Sequence, residues 1–260
     1  MNRSDHERPV TFQSPVAQYD GEFPGFTPDS KEKNIALVLS GGIGSRMKSK
    51  VPKQYLKIKG LPIIYYTLRK FSEDQNVNAI IIVAEERWRK EITRILNGIT
   101  DSKFAGFAEA GVTRQGSIVN GLHKCMEISA SEKDVVIIHD AVRPMVSVSM
   151  IDQCIHEAHI HDGCMPVIPV SDTIYKSLDG RKISELLDRN TLFAGQAPEA
   201  FNLHRYATLN FKASAKEINS YKGSTEIAFQ HHMDISLIPG EDTNFKITTP
   251  ADIERLKTVL

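Results

Sequence analysis

The sequence predicts an α/β fold: a single Rossmann-like domain with a mostly parallel sheet and a protruding β-hairpin arm. Three observations carry this. Short apolar runs recur at 35–39, 79–84 and at the centre of a strand at 134–139, as strands buried on both faces require. Amphipathic stretches alternate with them, the rhythm of crossover helices over a parallel sheet. A glycine-rich break, Ser40-Gly-Gly-Ile-Gly-Ser45, follows the first run directly.

Taken in order, regular structure is expected from Asn34. After the 35–39 strand, residues 62–71 read as a helix with Pro62 near its first turn. Residues 79–84 give a second strand, 86–96 a helix, and 104–107 a weaker strand. Residues 117–126 form a helix that packs Ile118, Leu122 and Met126 on one face. The strand at 134–139 precedes a helix at 149–159 and a strand at 163–170. Residues 171–193 break the rhythm: two short alternating stretches flank Asp179-Gly180 and read as a hairpin. Such a ribbon buries little alone and is expected to reach another surface, such as a second subunit. From Pro198 the sequence predicts a return to helices at 203–211 and 224–232, then a strand at 234–239 and a helix from Pro250.

Composition narrows the function classes. The 260 residues are 41% apolar and 25% charged, with 32 basic and 32 acidic side chains. No global basic field points to nucleic acid, so anion binding must come from local clusters. The cysteines, Cys125, Cys154 and Cys164, form no C-x-x-C pair and read as buried thiols of a reducing compartment. No apolar run is long enough to span a membrane. Residues 1–33 are polar, carry four prolines and lack the apolar core of a signal peptide, and are expected to form an extension to a 34–260 domain. A cytoplasmic location follows from these readings.

Chemistry concentrates around Ser40-Gly-Gly-Ile-Gly-Ser-Arg-Met47. Glycines there let a ligand approach the main chain, and successive N–H groups form an anion nest. Two familiar alternatives fail. A dinucleotide fingerprint needs a glycine where Met47 sits and an acid about 20 residues on, and a Walker loop needs Gly-Lys-Ser/Thr after four spacers. Instead Arg46, Lys48, Lys50 and Lys53 follow, with Pro52 stiffening the segment that carries Lys53. Cations massed beside an anion nest suit a triphosphate, whose transfer reactions are catalysed by positioning and charge neutralisation.

Five segments then complete a pattern: Pro52-Lys-Gln-Tyr-Leu56 with the glycine loop, Glu109-Ala-Gly-Val-Thr-Arg-Gln-Gly-Ser117, Val135 to Pro144, Leu187-Asp-Arg189, and Asn244-Phe-Lys-Ile-Thr-Thr-Pro250. Together they resemble the methylerythritol-phosphate and ribitol-5-phosphate cytidylyltransferases, over residues 34–260. The resemblance implies a nucleotidyltransferase domain that binds CTP, with magnesium, and a small sugar-alcohol phosphate. It implies that Ser40, Gly41, Gly42 and Gly44 line the nucleotide site, with Arg46 and Lys53 on the triphosphate. Gly111 and Ser117 match the positions that read cytosine, and Arg114 matches a further basic position of the nucleotide site. Many members carry an acid where Val112 stands here, so any base contact from that side chain is lost. Asp140 and Arg143 fall near substrate, Asp140 also as a metal ligand, and His139 reads as a packed strand residue. Thr173 and Arg189 lie on the hairpin, which the resemblance makes an arm crossing into the partner of a homodimer, where the arginine meets the acceptor phosphate. Lys246 matches a second essential lysine.

The acceptor divides the signals. Gly223-Ser-Thr-Glu-Ile227, His139-Asp-Ala-Val-Arg-Pro144 and Ala194 to Phe201 favour D-ribitol 5-phosphate, with CDP-ribitol as product. Leu187-Asp-Arg-Asn-Thr-Leu192 and Pro52-Lys-Gln-Tyr55 favour 2-C-methyl-D-erythritol 4-phosphate. A nucleotide-binding regulatory module is the non-enzymatic rival, and the retention of Arg46, Lys53, Asp140, Arg189 and Lys246 together argues against it.

Overall fold

The computed structural model describes residues 32–42 and 51–260. Strand β1 (Asn34–Leu39) leads, by way of a 3-10 turn at Lys53–Tyr55, into the two-residue strands β2 (Lys57–Ile58) and β3 (Leu61–Pro62). Helix α1 (Ile63–Glu73), β4 (Ala79–Val83), α2 (Glu86–Leu96), β5 (Phe104–Ala108), α3 (Arg114–Ile128), β6 (Val135–Asp140), α4 (Val148–Ile160) and β7 (Gly163–Pro169) follow. The hairpin β8 (Ile174–Lys176) and β9 (Glu185–Leu187) interrupts this alternation. The chain then returns through β10 (Phe193–Gly195), β11 (Glu199–Asn202), α5 (Leu203–Lys212), α6 (Ala215–Ser220), α7 (Ser224–Gln230), β12 (Ile235–Pro239) and α8 (Pro250–Val259).

The central sheet has eight strands in the order β10-β7-β11-β6-β1-β4-β5, with β12 on the outer side of β7. β1 pairs in parallel with β4 and β6, β4 with β5, and β7 with β12, whereas β10 and β11 run antiparallel to their neighbours. The period-2 pleat of β1 explains its unbroken apolar run. Ala36 and Val38 face a cluster built on α1, α2 and α4; Ile35 and Leu37 face a second cluster built on α3, α5, α6 and α7. A third, smaller cluster joins Ile58, Ile63 and Val142 to Ile247 and Leu256. Helix starts are set by local chemistry: Thr113, Ser147 and Asn202 cap α3, α4 and α5, and Ser214 and Thr249 form capping boxes with Glu217 and Asp252.

The expected α/β architecture stands, and four details differ from the sequence reading. α3 begins at Arg114 rather than residue 117, because Thr113 caps it. Residues 199–202 are a strand that fills the gap between β6 and β7, where a direct return to helix was expected. The short helix α6 was not anticipated. The hairpin strands are shorter than their alternating pattern, and Asp179 organises the tip by accepting from Arg181 N and Lys182 N at 2.8 and 3.0 Å. By Phe193 the chain is already back on the main sheet, against β7.

Close packing of α3 on β1 is fixed at Gly121, where an added Cβ would lie 2.3 Å from Leu37 Cδ1. Leu37 is wholly buried and has nowhere to move. Gly121→Val is therefore expected to destabilise the fold by about 1–3 kcal/mol or more, read as a lower urea midpoint with an unchanged slope.

Candidate active site

Where β1, β5 and β6 end, their loops enclose a cavity of about 400 Å³. This is the carboxyl edge of the sheet, where open α/β folds bind ligands. The glycine loop contributes Gly41 and Gly42, the 3-10 turn Lys53 and Gln54, and the α3 entry Gly111 to Arg114 and Ser117. Asp140 and Val142 come from the end of β6, and Lys246 and Thr248 from the segment before α8.

Two glycines allow the close packing of the cavity wall. An added Cβ at Gly41 would fall 2.5 Å from Ala110 Cβ, and one at Gly111 would fall 2.5 Å from Gly116 C and Ser117 N. Gly111 N donates to Ser117 Oγ at 2.9 Å, so that hydroxyl is held at the cavity wall. Gln54 Nε2 donates to the carbonyls of Ser40 and Gly42 at 2.6 and 2.9 Å and ties the start of the glycine loop to the 3-10 turn. Below it, the Ser40 and Tyr55 hydroxyls bond at 2.9 Å, and Tyr55 stacks on Trp88.

The electrostatic centre is Asp140. Its carboxylate receives Arg114 Nε at 3.3 Å, Lys246 Nζ at 2.8 Å and Arg143 Nε at 3.7 Å. Burial alone would raise its pKa, but Arg114, Lys246 and Arg143 outweigh that cost and hold it well below the usual carboxylate range. Lys53 Nζ donates to Ile247 O at 2.6 Å, and Ile247 N donates to Val142 O at 2.9 Å. Lys53 and Lys246, 193 positions apart in sequence, thereby reach one wall.

Of the residues singled out in the sequence, Gly41, Gly42, Lys53, Gly111, Arg114, Ser117, Asp140 and Lys246 line this one cavity. Ser40 does not: it is buried beneath the loop. Arg143 turns away to donate to Asn244 O at 2.6 Å and serves the wall from behind. Thr173 and Arg189 are exposed on the arm, with Arg189 Nη1 donating to Ser171 O at 2.7 Å, and lie apart from the cavity within this chain. Gly44 and Arg46 lie outside the described residues. Val112 stands fully exposed at the cavity's lip. His139 is a packed strand residue, as expected: it is wholly buried, donates from Nε2 to Arg143 O at 3.1 Å, and packs on Phe71.

A family model described as 2-C-methyl-D-erythritol 4-phosphate cytidylyltransferase, IspD, matches residues 34–260. The chain belongs to the IspD family. It is thus a nucleotidyltransferase, specifically a cytidylyltransferase. A relative from Rubrobacter xylanophilus, named 2-C-methyl-D-erythritol 4-phosphate cytidylyltransferase, is 34% identical over 227 residues, which cover 87% of this chain and 94% of the relative. One from Vibrio parahaemolyticus, named ribitol-5-phosphate cytidylyltransferase, is 30% identical over 228 residues, with 87% and 95% covered. Among solved structures, 4-diphosphocytidyl-2C-methyl-D-erythritolsynthase from Anaerococcus prevotii shares the fold with a TM-score of 0.74 at 22% identity, over 88% of this chain and 96% of that one.

Sequence reasoning missed several parts of this IspD-family site. Gln54 is part of the Pro-Lys-Gln-Tyr motif, and nothing in the motif shows that it tethers the glycine loop. Thr113 had a readable signal, a capping residue before an apolar period. Glu199 and Ser224, which meet Arg114 from two sides, lie in segments that spoke only to the acceptor; their approach to Arg114 depends on how β11 and α7 pack.

The buried His139 has a pH signature. Burial lowers its pKa from 6.5 to about 4, so the native state keeps it neutral while the unfolded chain takes up a proton. Between those values the unfolded state binds more protons, so stability falls as pH drops from about 6.5 to 4. His139→Gln keeps a side-chain donor for Arg143 O and removes the titration. Its unfolding free energy is expected to lose up to ~1.4 kcal/mol per pH unit of that slope, as measured by urea titration across this range.

Proposed function

We propose that the protein transfers CMP from CTP to D-ribitol 5-phosphate, releasing pyrophosphate and forming CDP-ribitol. The observation that carries the chemistry is the convergence of Lys53, Arg114 and Lys246 on one cavity beside Asp140. A glycine-packed pocket at Gly111 and Ser117 suits a base read by backbone groups, and the cationic wall suits the phosphates.

In this reading an acceptor phosphate oxygen attacks the α-phosphorus in line. The new P–O bond forms as the bond from α-phosphorus to the bridging oxygen breaks, and pyrophosphate carries away that electron pair. The acceptor phosphate is largely ionised near neutral pH, with its second pKa about 6, so no general base is needed. The protein's own contribution is orientation and fixed positive charge. Arg46 completes the triphosphate contacts in this proposal. Among the described residues no cluster of three or more His, Cys, Asp or Glu side chains forms a metal cage. Asp140 is the one carboxylate on the cavity wall among them, and cations already hold it. Among the described residues Asp140 is the side chain that would hold magnesium brought in on phosphate oxygens, and such an ion would add charge neutralisation at the phosphates.

A second reading replaces the acceptor with 2-C-methyl-D-erythritol 4-phosphate. The Rubrobacter relative's 34% identity and the Leu187-Asp-Arg189 segment favour it; the Gly223-Ser-Thr-Glu-Ile227 segment, whose Ser224 accepts from Arg114 and whose Thr225 donates to Glu199, favours the pentitol. The arm belongs to the same reading. It pairs only with itself within the described chain and exposes Tyr175, Leu178, Ile183 and Leu186, a face suited to a second copy, which would bring Thr173 and Arg189 to the partner's acceptor site. Sedimentation equilibrium giving a monomer at micromolar concentration would contradict that arrangement. The free, buried Cys125, Cys154 and Cys164 support a reducing, cytoplasmic setting.

The test is pyrophosphate release from CTP with the two acceptors side by side. Ribitol 5-phosphate is expected to give the higher kcat/KM. Lys53→Ala and Lys246→Met are each expected to cut turnover by about 100-fold or more while remaining folded. Transfer to methylerythritol phosphate alone would assign the second reading; inactivity with both, despite CTP binding, would leave the regulatory module.

A further inference from the structure

Glu199 opens β11 beside the cationic cluster, does not line the cavity, and is not used by the transfer chemistry above. Its side chain is only 12% exposed. One oxygen, Oε1, lies 3.8 Å from Arg114 Nη2. The other, Oε2, accepts from Thr225 Oγ1 at 3.2 Å and from the hydroxyl of the wholly buried Ser224. Ser224 Oγ in turn accepts from Arg114 Nη1 at 2.7 Å. Each nitrogen of the Arg114 guanidinium therefore has its own partner: Nε on Asp140, Nη1 on Ser224 and Nη2 on Glu199.

Ser224 is itself fixed. Tyr206 OH donates to its carbonyl at 2.8 Å, and Gln115, the second residue of α3, donates from Nε2 to Tyr206 OH at 3.1 Å and to Asn210 Oδ1 at 2.5 Å. The polar chain runs through the core between α3, α5 and α7, where its members are buried. A satisfied buried network of this kind rigidifies what it touches.

A cation held between two carboxylates stays where their pulls balance; with one removed it moves to the other. Here the other is Asp140, which already holds Lys246 at 2.8 Å. We propose that Glu199 is a positioning residue: acting with Ser224, it limits Arg114 to a single Nε contact with Asp140, so that Arg114 and Lys246 present separate charges to the substrate phosphates. The proposal rests on reading the cavity as the cytidylyl-transfer site. Without Glu199, Arg114 crowds Asp140 and displaces Lys246 from it.

Glu199→Gln keeps the size and the hydroxyl contacts and removes the charge. It is expected to lower kcat/KM by about tenfold, and Glu199→Asp, which restores the charge on a shorter stem, to recover part of the loss. Because Glu199 acts through Arg114, the Glu199→Gln effect is expected to shrink to about twofold or less in an Arg114→Met background. Equal losses in both backgrounds, with an active parent enzyme, would overturn the inference and leave the function standing. A parent enzyme inactive with both acceptors would instead remove the transfer reading. The geometry is read separately from the side-chain ¹⁵Nε–H signal of Arg114, identified by its absence in Arg114→Met. That signal is expected to shift in Glu199→Gln, and an unmoved signal would overturn the positioning whatever the activity.

Discussion

A single carboxylate, Asp140, organises the site. It ends the buried strand β6, where water is scarce and an isolated anion would be costly. Arg114, Lys246 and Arg143 each come from a different stretch of chain, and together they outweigh that cost. The relation runs both ways: the cations would repel one another at these distances without the carboxylate between them. The half-buried setting makes the pairing worth more than a surface salt bridge and also makes it dependent on every partner being present.

The rest of the architecture keeps that cluster facing a cavity. Gly41 lets the glycine loop approach Ala110, and Gly111 lets the α3 entry fold onto its own first turn, so closely that a methyl group would collide at either position. Gln54 binds the glycine loop to the turn that carries Lys53, and the Ile247 backbone receives Lys53 while bonding Val142. The small apolar cluster of Ile58, Val142, Ile247 and Leu256 lies under these contacts, so α8 and the segment before it are anchored by hydrophobic burial and not by charge alone. Packing thus sets the distances, and electrostatics acts at distances already set.

Much of this was legible in the sequence, for reasons that differ by element. The strands β1, β4 and β6 announce themselves because burial on both faces leaves their centres wholly apolar. The glycine loop and the lysine of Pro52-Lys53-Gln54 are legible because anion binding needs small residues and cations close together in sequence. Asp140 and Lys246 are separated by more than a hundred residues, and only the resemblance to a family linked them before the fold did. Strand β11 escaped notice because its four residues carry a polar residue at each end and lie between Pro198 and a strongly periodic helix. With it went Glu199, whose role is invisible without the neighbour it reaches. Arg143 lies in the turn after β6, and nothing in the local sequence says that its guanidinium meets Asn244 O and Asp140.

The proposed chemistry depends on where the nucleotide's phosphates sit. A crystal structure of the protein with CTP and magnesium decides this most directly. The expected result places the cytosine against Gly111 and Ser117 and the phosphates within hydrogen-bonding reach of both Lys53 and Lys246. Phosphates bound elsewhere, or reached by only one of these two lysines, would contradict it.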